Sequence, residues 1–165
     1  MALAPAVTDI EHLKGHPAVA RLVGWNAQAV EGVKFDRDEM TIYMARDAIR
    51  QAAALLKDDS ACPFNYLSDI TCVDWHPSEP RFEVVYHLLS IPHKERVRLK
   101  VRLSGENPAL DSITSIWPGA NYFEREVFDL FGVRFNGHPY LRRIMMPENW
   151  EGHPLRKDYP VEGYR

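Results

Sequence analysis

Cysteine is scarce in this chain. Only Cys62 and Cys72 occur among 165 residues, ten positions apart and with no CxxC pair. Two thiols cannot supply a four-thiolate zinc or iron–sulfur site from this chain alone. The expectation is two small, buried, reduced residues in a cytosolic setting. Long apolar runs are missing too: nothing approaches the roughly 18 residues that suggest a membrane span. Neither sign of charge dominates, with 20 Lys and Arg against 23 Asp and Glu for a net charge of -3. That balance argues against a dedicated nucleic-acid binder, which is normally basic. The first sixteen residues lack a positive start followed by an apolar core, so a secretion signal is not expected.

Motifs of catalysis are absent as well. There is no Walker loop, GxGxxG, GxSxG or HExxH, and no serine or cysteine has a recognisable activating neighbour. Glu124, Glu126, Asp129, His138 and His153 could be combined into an acid–base or metal site, but no spacing supports it. What remains is 45% hydrophobic and 26% charged, ordinary for one soluble domain with a real core.

Along the chain, 10–23 reads as an amphipathic helix interrupted by Gly15 and Pro17. Segments 29–35 and 40–44 read as short strands around a polar turn, and 45–57 as a helix burying Ile49, Ala53 and Leu56. A strand is expected over 67–75. The strongest regular signal is a hairpin. Phe82, Val84, Tyr86 and Leu88 alternate within 81–90, and Val97, Leu99, Val101 and Leu103 alternate with Arg96, Arg98, Lys100 and Arg102 within 96–103. That basic stripe could bind an acidic partner, but alternation demands a polar face there, and Glu83 lies across the hairpin to pair with it. A last helix over 119–131 presents Phe123, Val127, Leu130 and Phe131 inward and Asn121, Arg125 and Asp129 outward. Glu124 and Glu126 sit near the favourable N-terminal end of its dipole, and Gly132 suits the C′ position. This order predicts an α+β fold, a mostly antiparallel sheet with helices packed on one face, followed by a long extended C-terminal tail. The expected division is an α+β domain over 1–132 and a partner-wrapping tail over 133–165.

That tail carries most of the information. It holds four prolines, three glycines and two Gly-His-Pro triplets, with no helical or strand period. Large side chains run through it: Phe135, Tyr140, Leu141, Ile144, Met145, Met146, Trp150, Leu155 and Tyr159. Ordering such a ribbon costs roughly 1–2 kcal/mol per residue in backbone entropy, which contact with a partner surface would offset. Arg142, Arg143, Arg156 and Lys157 would then pair with acidic groups. The alternative is a tail wrapped on its own sheet.

The strings EREVFDLFGVRF (124–135) and GHPYLRRIMMPENWEGHPLRKDYP (137–160) closely resemble the 30 kDa subunit family of proton-pumping NADH–quinone oxidoreductase, respiratory complex I. FNYLSDITCVDW (64–75), RFEVVYHLLS (81–90) and SITSIWPGANY (112–122) are similar to the same family, so the resemblance spans about 40–165. It implies a structural subunit of the hydrophilic arm, peripheral to the membrane on the cytoplasmic side in bacteria, with no active site and no cofactor in the chain itself. FMN and Fe–S clusters would lie in partner subunits, and the nearest partner would be the subunit that forms much of the quinone chamber. The family motif falls on Glu124, Arg125, Glu126, Asp129, Gly132, His138, Pro139, Arg142, Arg143, Pro154, Leu155, Arg156, Lys157, Asp158 and Tyr159. The resemblance assigns them to assembly and partner binding. Related modules occur in membrane-bound hydrogenases and photosynthetic complexes with other electron donors.

Overall fold

A computed structural model describes residues 5–163. Strands β1 (Val30–Asp36), β2 (Glu39–Met44), β3 (Tyr66–Asp74), β4 (Phe82–Ser90) and β5 (Glu95–Leu103) form one sheet of order β1-β2-β5-β4-β3. Three of its four pairings are antiparallel. The β2–β5 pairing is parallel, from Met40↔Val97 to Tyr43↔Lys100. The fold is therefore α+β with a mostly antiparallel sheet. Periodicity alone could not reveal the one parallel seam, because a strand's pattern is the same in either direction.

The hairpin of β4 and β5 forms the spine. Its register, Phe82↔Leu103 to Ser90↔Glu95, places Phe82, Val84, Tyr86, Leu88, Val97, Leu99, Val101 and Leu103 on one face, all at most 3% exposed. Ile42 of β2 and Ile70 and Cys72 of β3 extend this apolar face. Helices α2 (Pro17–Asn26), α3 (Ile49–Lys57) and α4 (Ala120–Phe131) cover it, joining Leu22, Ile49, Leu56 and Val127 to the same core. The opposite face is polar. The expected first helix is two: α1 (Ile10–Leu13) ends before Gly15, and Pro17 occupies the first turn of α2, where its missing N–H costs nothing. Between β1 and β2, Arg37 and Asp38 take φ of 55° and 62°, the two-residue turn that matches strand twist.

Two short elements were not legible. The short strand β6 (Ala109–Asp111) pairs in parallel with β7 (Arg134–Asn136), which opens the C-terminal ribbon. Leu110 and Phe135 are 1% and 3% exposed, so this pair stitches the ribbon's start into the core. Three residues are too few to display a period.

Candidate docking interface

The ribbon leaves α4 through Gly132, which sits at φ 76° and donates its N–H to Phe128 O at 2.9 Å. A Cβ at 132 would stand 2.5 Å from Arg156 Nη2 and 2.6 Å from His153, so glycine serves both the left-handed turn and the close return of the chain.

From there the ribbon lies along its own domain, held at two anchors. Asp129, wholly buried on α4, accepts from Ile144 N at 2.9 Å, Met145 N at 2.7 Å, Met146 N at 2.8 Å and Arg143 Nη1 at 2.6 Å. Burial pushes its carboxyl up, but these three amides and the guanidinium outweigh burial and hold it below the usual range. Arg143 also donates to the carbonyls of Trp150 and Gly152, each at 2.9 Å, closing the ribbon into a loop. The second anchor is Arg81. It donates to both oxygens of buried Asp74 at 2.8 Å and to Asp158 at 2.6 and 2.9 Å, while Lys157 N reaches Asp74 Oδ2 at 2.8 Å. Arg156 Nε donates to Phe131 O at 2.6 Å. Burial raises Asp74, yet Arg81 and the amides of Lys157 and His76 overcome it and leave the carboxyl far below its ordinary value.

These contacts place the motif residues. Asp129 was expected on the outer stripe of the last helix and Glu124 at a partner surface, but both are 0% exposed. Glu124 shares the inner face with Val127 and Phe131, three and seven residues on. It accepts from Ser112 Oγ at 2.6 Å and Ile113 N at 2.8 Å. Burial lifts it to about 7 against those two hydrogen bonds. Arg143, Arg156 and Asp158 likewise spend their charged ends on this chain. His138 Nε2 lies 3.3 Å from Asn121 O, and Tyr159 Oη donates to Glu151 O at 3.4 Å. The entropic cost of ordering the ribbon is thus offset within the molecule.

The outside of the ribbon mixes charged side chains, among them Arg142, Glu148 and Lys157, with large apolar and aromatic ones. Tyr140, Met145 and Leu155 are 54%, 61% and 50% exposed, with Trp150 and Ile144 each at 38% and Tyr122 of α4 at 64%. The guanidinium of Arg142 lies 4.3 Å from the Tyr140 ring centroid, and that of Arg125 lies 5.9 Å away. Arg125 also donates to the carbonyls of Arg142 and Arg143. Glu126 and the side chain of Lys157 face outward. Clustered exposed apolar side chains, unlike singly scattered ones, mark interaction sites.

Sequence reasoning missed Asp74, Arg81 and Ser112. A signal for the first existed, because Ile70, Cys72 and Asp74 share one face by alternation, which puts a carboxylate against the core and requires a cation. The basic stripe is largely neutralised. Lys100 and Arg102 pair with Glu83 at 2.5 and 3.2 Å, and Arg98 pairs with Glu39 at 2.6 Å. Among the described residues, no three of His, Cys, Asp and Glu gather as a metal site, and no helix is long and apolar enough to cross a membrane. The Cys72 thiol is pushed up to about 12 by burial and by Asp74, the reverse of what a metal-binding thiolate needs.

Residues 42–165 match the family described as respiratory-chain NADH dehydrogenase, 30 Kd subunit. Among curated relatives, the corresponding NADH-quinone oxidoreductase subunit of Roseiflexus sp. (strain RS-1) is 50% identical over 81% of this chain and 76% of its own. That of Citrifermentans bemidjiense is 43% identical over 88% of this chain and 89% of its own. NADH dehydrogenase [ubiquinone] iron-sulfur protein 3, mitochondrial, of Candida albicans is 50% identical over 78% of this chain and 46% of its own. Two solved structures share the fold. A trypsin-resistant fragment of Nqo5 is 29% identical, with a TM-score of 0.61 over 75% of this chain and 99% of its own. A chain of the membrane-bound sulfane sulfur reductase, an archaeal respiratory membrane complex, is 28% identical, with a TM-score of 0.73 over 90% of this chain and 86% of its own.

Proposed function

The chain belongs to the 30 Kd subunit family of the respiratory-chain NADH dehydrogenase, and from that premise we propose that it is a structural, non-catalytic subunit of the hydrophilic arm of a proton-translocating NADH:quinone oxidoreductase. In this reading electrons pass from NADH through FMN and Fe–S centres in neighbouring subunits to quinone, coupled to proton translocation. This chain positions those neighbours from the cytoplasmic side of the membrane. The partner of the ribbon is the quinone-chamber subunit.

One observation carries the proposal: a ribbon locked from beneath by Asp129, Arg143 and Arg81 turns Tyr140, Met145, Trp150 and Leu155 outward. Prepaying the order of the ribbon within the chain leaves an apolar, pre-organised surface, and pre-organisation favours association. Arg125, Glu126, His138, Arg142, Lys157 and Tyr159 flank it. Glu124, Asp129, Arg143, Arg156 and Asp158 act from behind, shaping the surface. The division at 132/133 becomes one of role, since β7 ties the ribbon's first residues to the domain. The likeness to a chain of a sulfane sulfur reductase favours a second reading, the same scaffold in a related respiratory membrane complex built around a different redox reaction.

Limited proteolysis of the full chain, alone and within the solubilised complex, tests the proposal. Cleavage at Arg142, Lys157 and their neighbours should proceed in the free chain and be suppressed in the complex. Equal cleavage in both would refute it. Arg142→Ala should lower the amount of assembled complex while leaving turnover per complex unchanged.

A further inference from the structure

The two edges of the sheet are treated differently. At the β1 edge the N-terminal segment closes the strand: Val7 N donates to Phe35 O at 2.9 Å and Phe35 N to Val7 O at 2.8 Å. At the other edge, β3 is hydrogen-bonded on one side only, to β4. Among the described residues no strand lies beyond it. Trp75 N donates to Arg81 O at 2.8 Å, which sets the alternation. Thr71 and Val73 turn their amides and carbonyls to β4, and Ile70, Cys72 and Asp74 turn theirs outward. Natural sheets blunt such an edge with proline, a short strand or a covering loop. Here the strand has nine residues, no proline, and one irregularity, at its start between Leu67 and Asp69.

A groove of about 550 Å³ lies at the C-terminal end of this edge, where residues 72–76, including Asp74 and His76, face Phe131, Leu155 and Lys157. Trp75 is 48% exposed, as is Tyr66 at 50% at the far end of the strand. Leu155 belongs to both this groove and the exposed ribbon face, so the two surfaces are continuous.

We infer that the outer edge of β3 receives an extended segment of a neighbouring subunit as a sixth strand. Outward amides and carbonyls at every second residue, on residues themselves only 3–6% exposed, are matched in register by an added extended backbone. The groove beside them suits alternate apolar side chains of that strand, and the outward-facing Lys157 at its end suits a carboxylate. The inference rests on the reading of the chain as one subunit of a larger assembly, and it adds a second contact beside the ribbon.

Hydrogen exchange on the full chain, free and in the intact complex, tests it. Peptides spanning 68–76 should exchange at least roughly tenfold more slowly in the complex, together with those of the ribbon. Protection of the ribbon without protection of 68–76 would overturn the sixth strand and leave the docking reading standing. Protection of neither would overturn both. Cys72→Pro removes one outward N–H without breaking the ladder to β4, and Cys72→Ala controls for the lost thiol. The proline variant should be retained in the complex several-fold less well than the alanine variant. Equal retention with matched thermal midpoints would refute the inference.

Discussion

Glu124→Gln offers the sharpest test of how α4 is seated. The wild-type carboxyl is wholly buried, accepts among the described residues only from Ser112 Oγ and Ile113 N, and is lifted from 4.5 to about 7. Its folded value is above its unfolded one, so between those values the folded protein holds a proton that the unfolded chain has released. Stability is therefore lost as pH rises through this window, and the loss is complete above about pH 7. At about 1.4 kcal/mol for each tenfold change in proton affinity, the full penalty is on the order of 3 kcal/mol. Glutamine has the same shape and no charge. Its oxygen accepts from Ile113 N, and its NH₂ donates to Ser112 Oγ, whose hydroxyl then turns to Thr114 Oγ1, 2.9 Å away. Near pH 8 the variant should be more stable than wild type by about 2–3 kcal/mol, a rise in Tm of roughly 5–10 °C for a chain this size. Near pH 4 the two should agree within about 0.5 kcal/mol. Thermal unfolding followed by circular dichroism at both pH values decides the matter. Equal shifts at the two pH values, or destabilisation at both, would refute a protonated Glu124 beneath α4.

Three further outcomes follow from the clamps. Arg143→Ala strips a buried carboxylate of its cation and frees the carbonyls of Trp150 and Gly152, so a loss of about 3–5 kcal/mol is expected, seen in urea titration together with faster thermolysin cleavage after residue 137. Gly132→Ala forces a side chain into a left-handed position already filled by His153 and Arg156. It should cost about 1–3 kcal/mol, and a thermal midpoint unchanged from wild type would show that the ribbon does not pack there. Asp74 and Asp129 are both held below 3.8, so their contribution is present above that value and fades as pH falls through their depressed ones. Hydrogen exchange should show residues 143–158 loosening in acid before β4 and β5 do.

Much of the architecture could be read from alternation and punctuation. The β4–β5 hairpin, the inner face of α3 and the glycine ending α4 each follow from local rules, with residues two or three to four apart deciding which side is buried. The resemblance carried by 124–135 and 137–160 likewise lies wholly in the order of residues. Tertiary structure decided what local order could not. A parallel seam between β2 and β5, the three-residue strand β7 and the burial of Glu124 and Asp129 all depend on groups 11 to 57 positions apart. A carboxylate on a helix looks solvent-facing until the ribbon's own amides arrive to satisfy it, and only then is burying the charge favourable. The same physics divides the ribbon. Arg143 and the amides of 144–146 close inward on Asp129 because buried hydrogen-bonding groups must be matched, and Phe135 joins the core, while Tyr140, Met145, Trp150 and Leu155 stay on the outside.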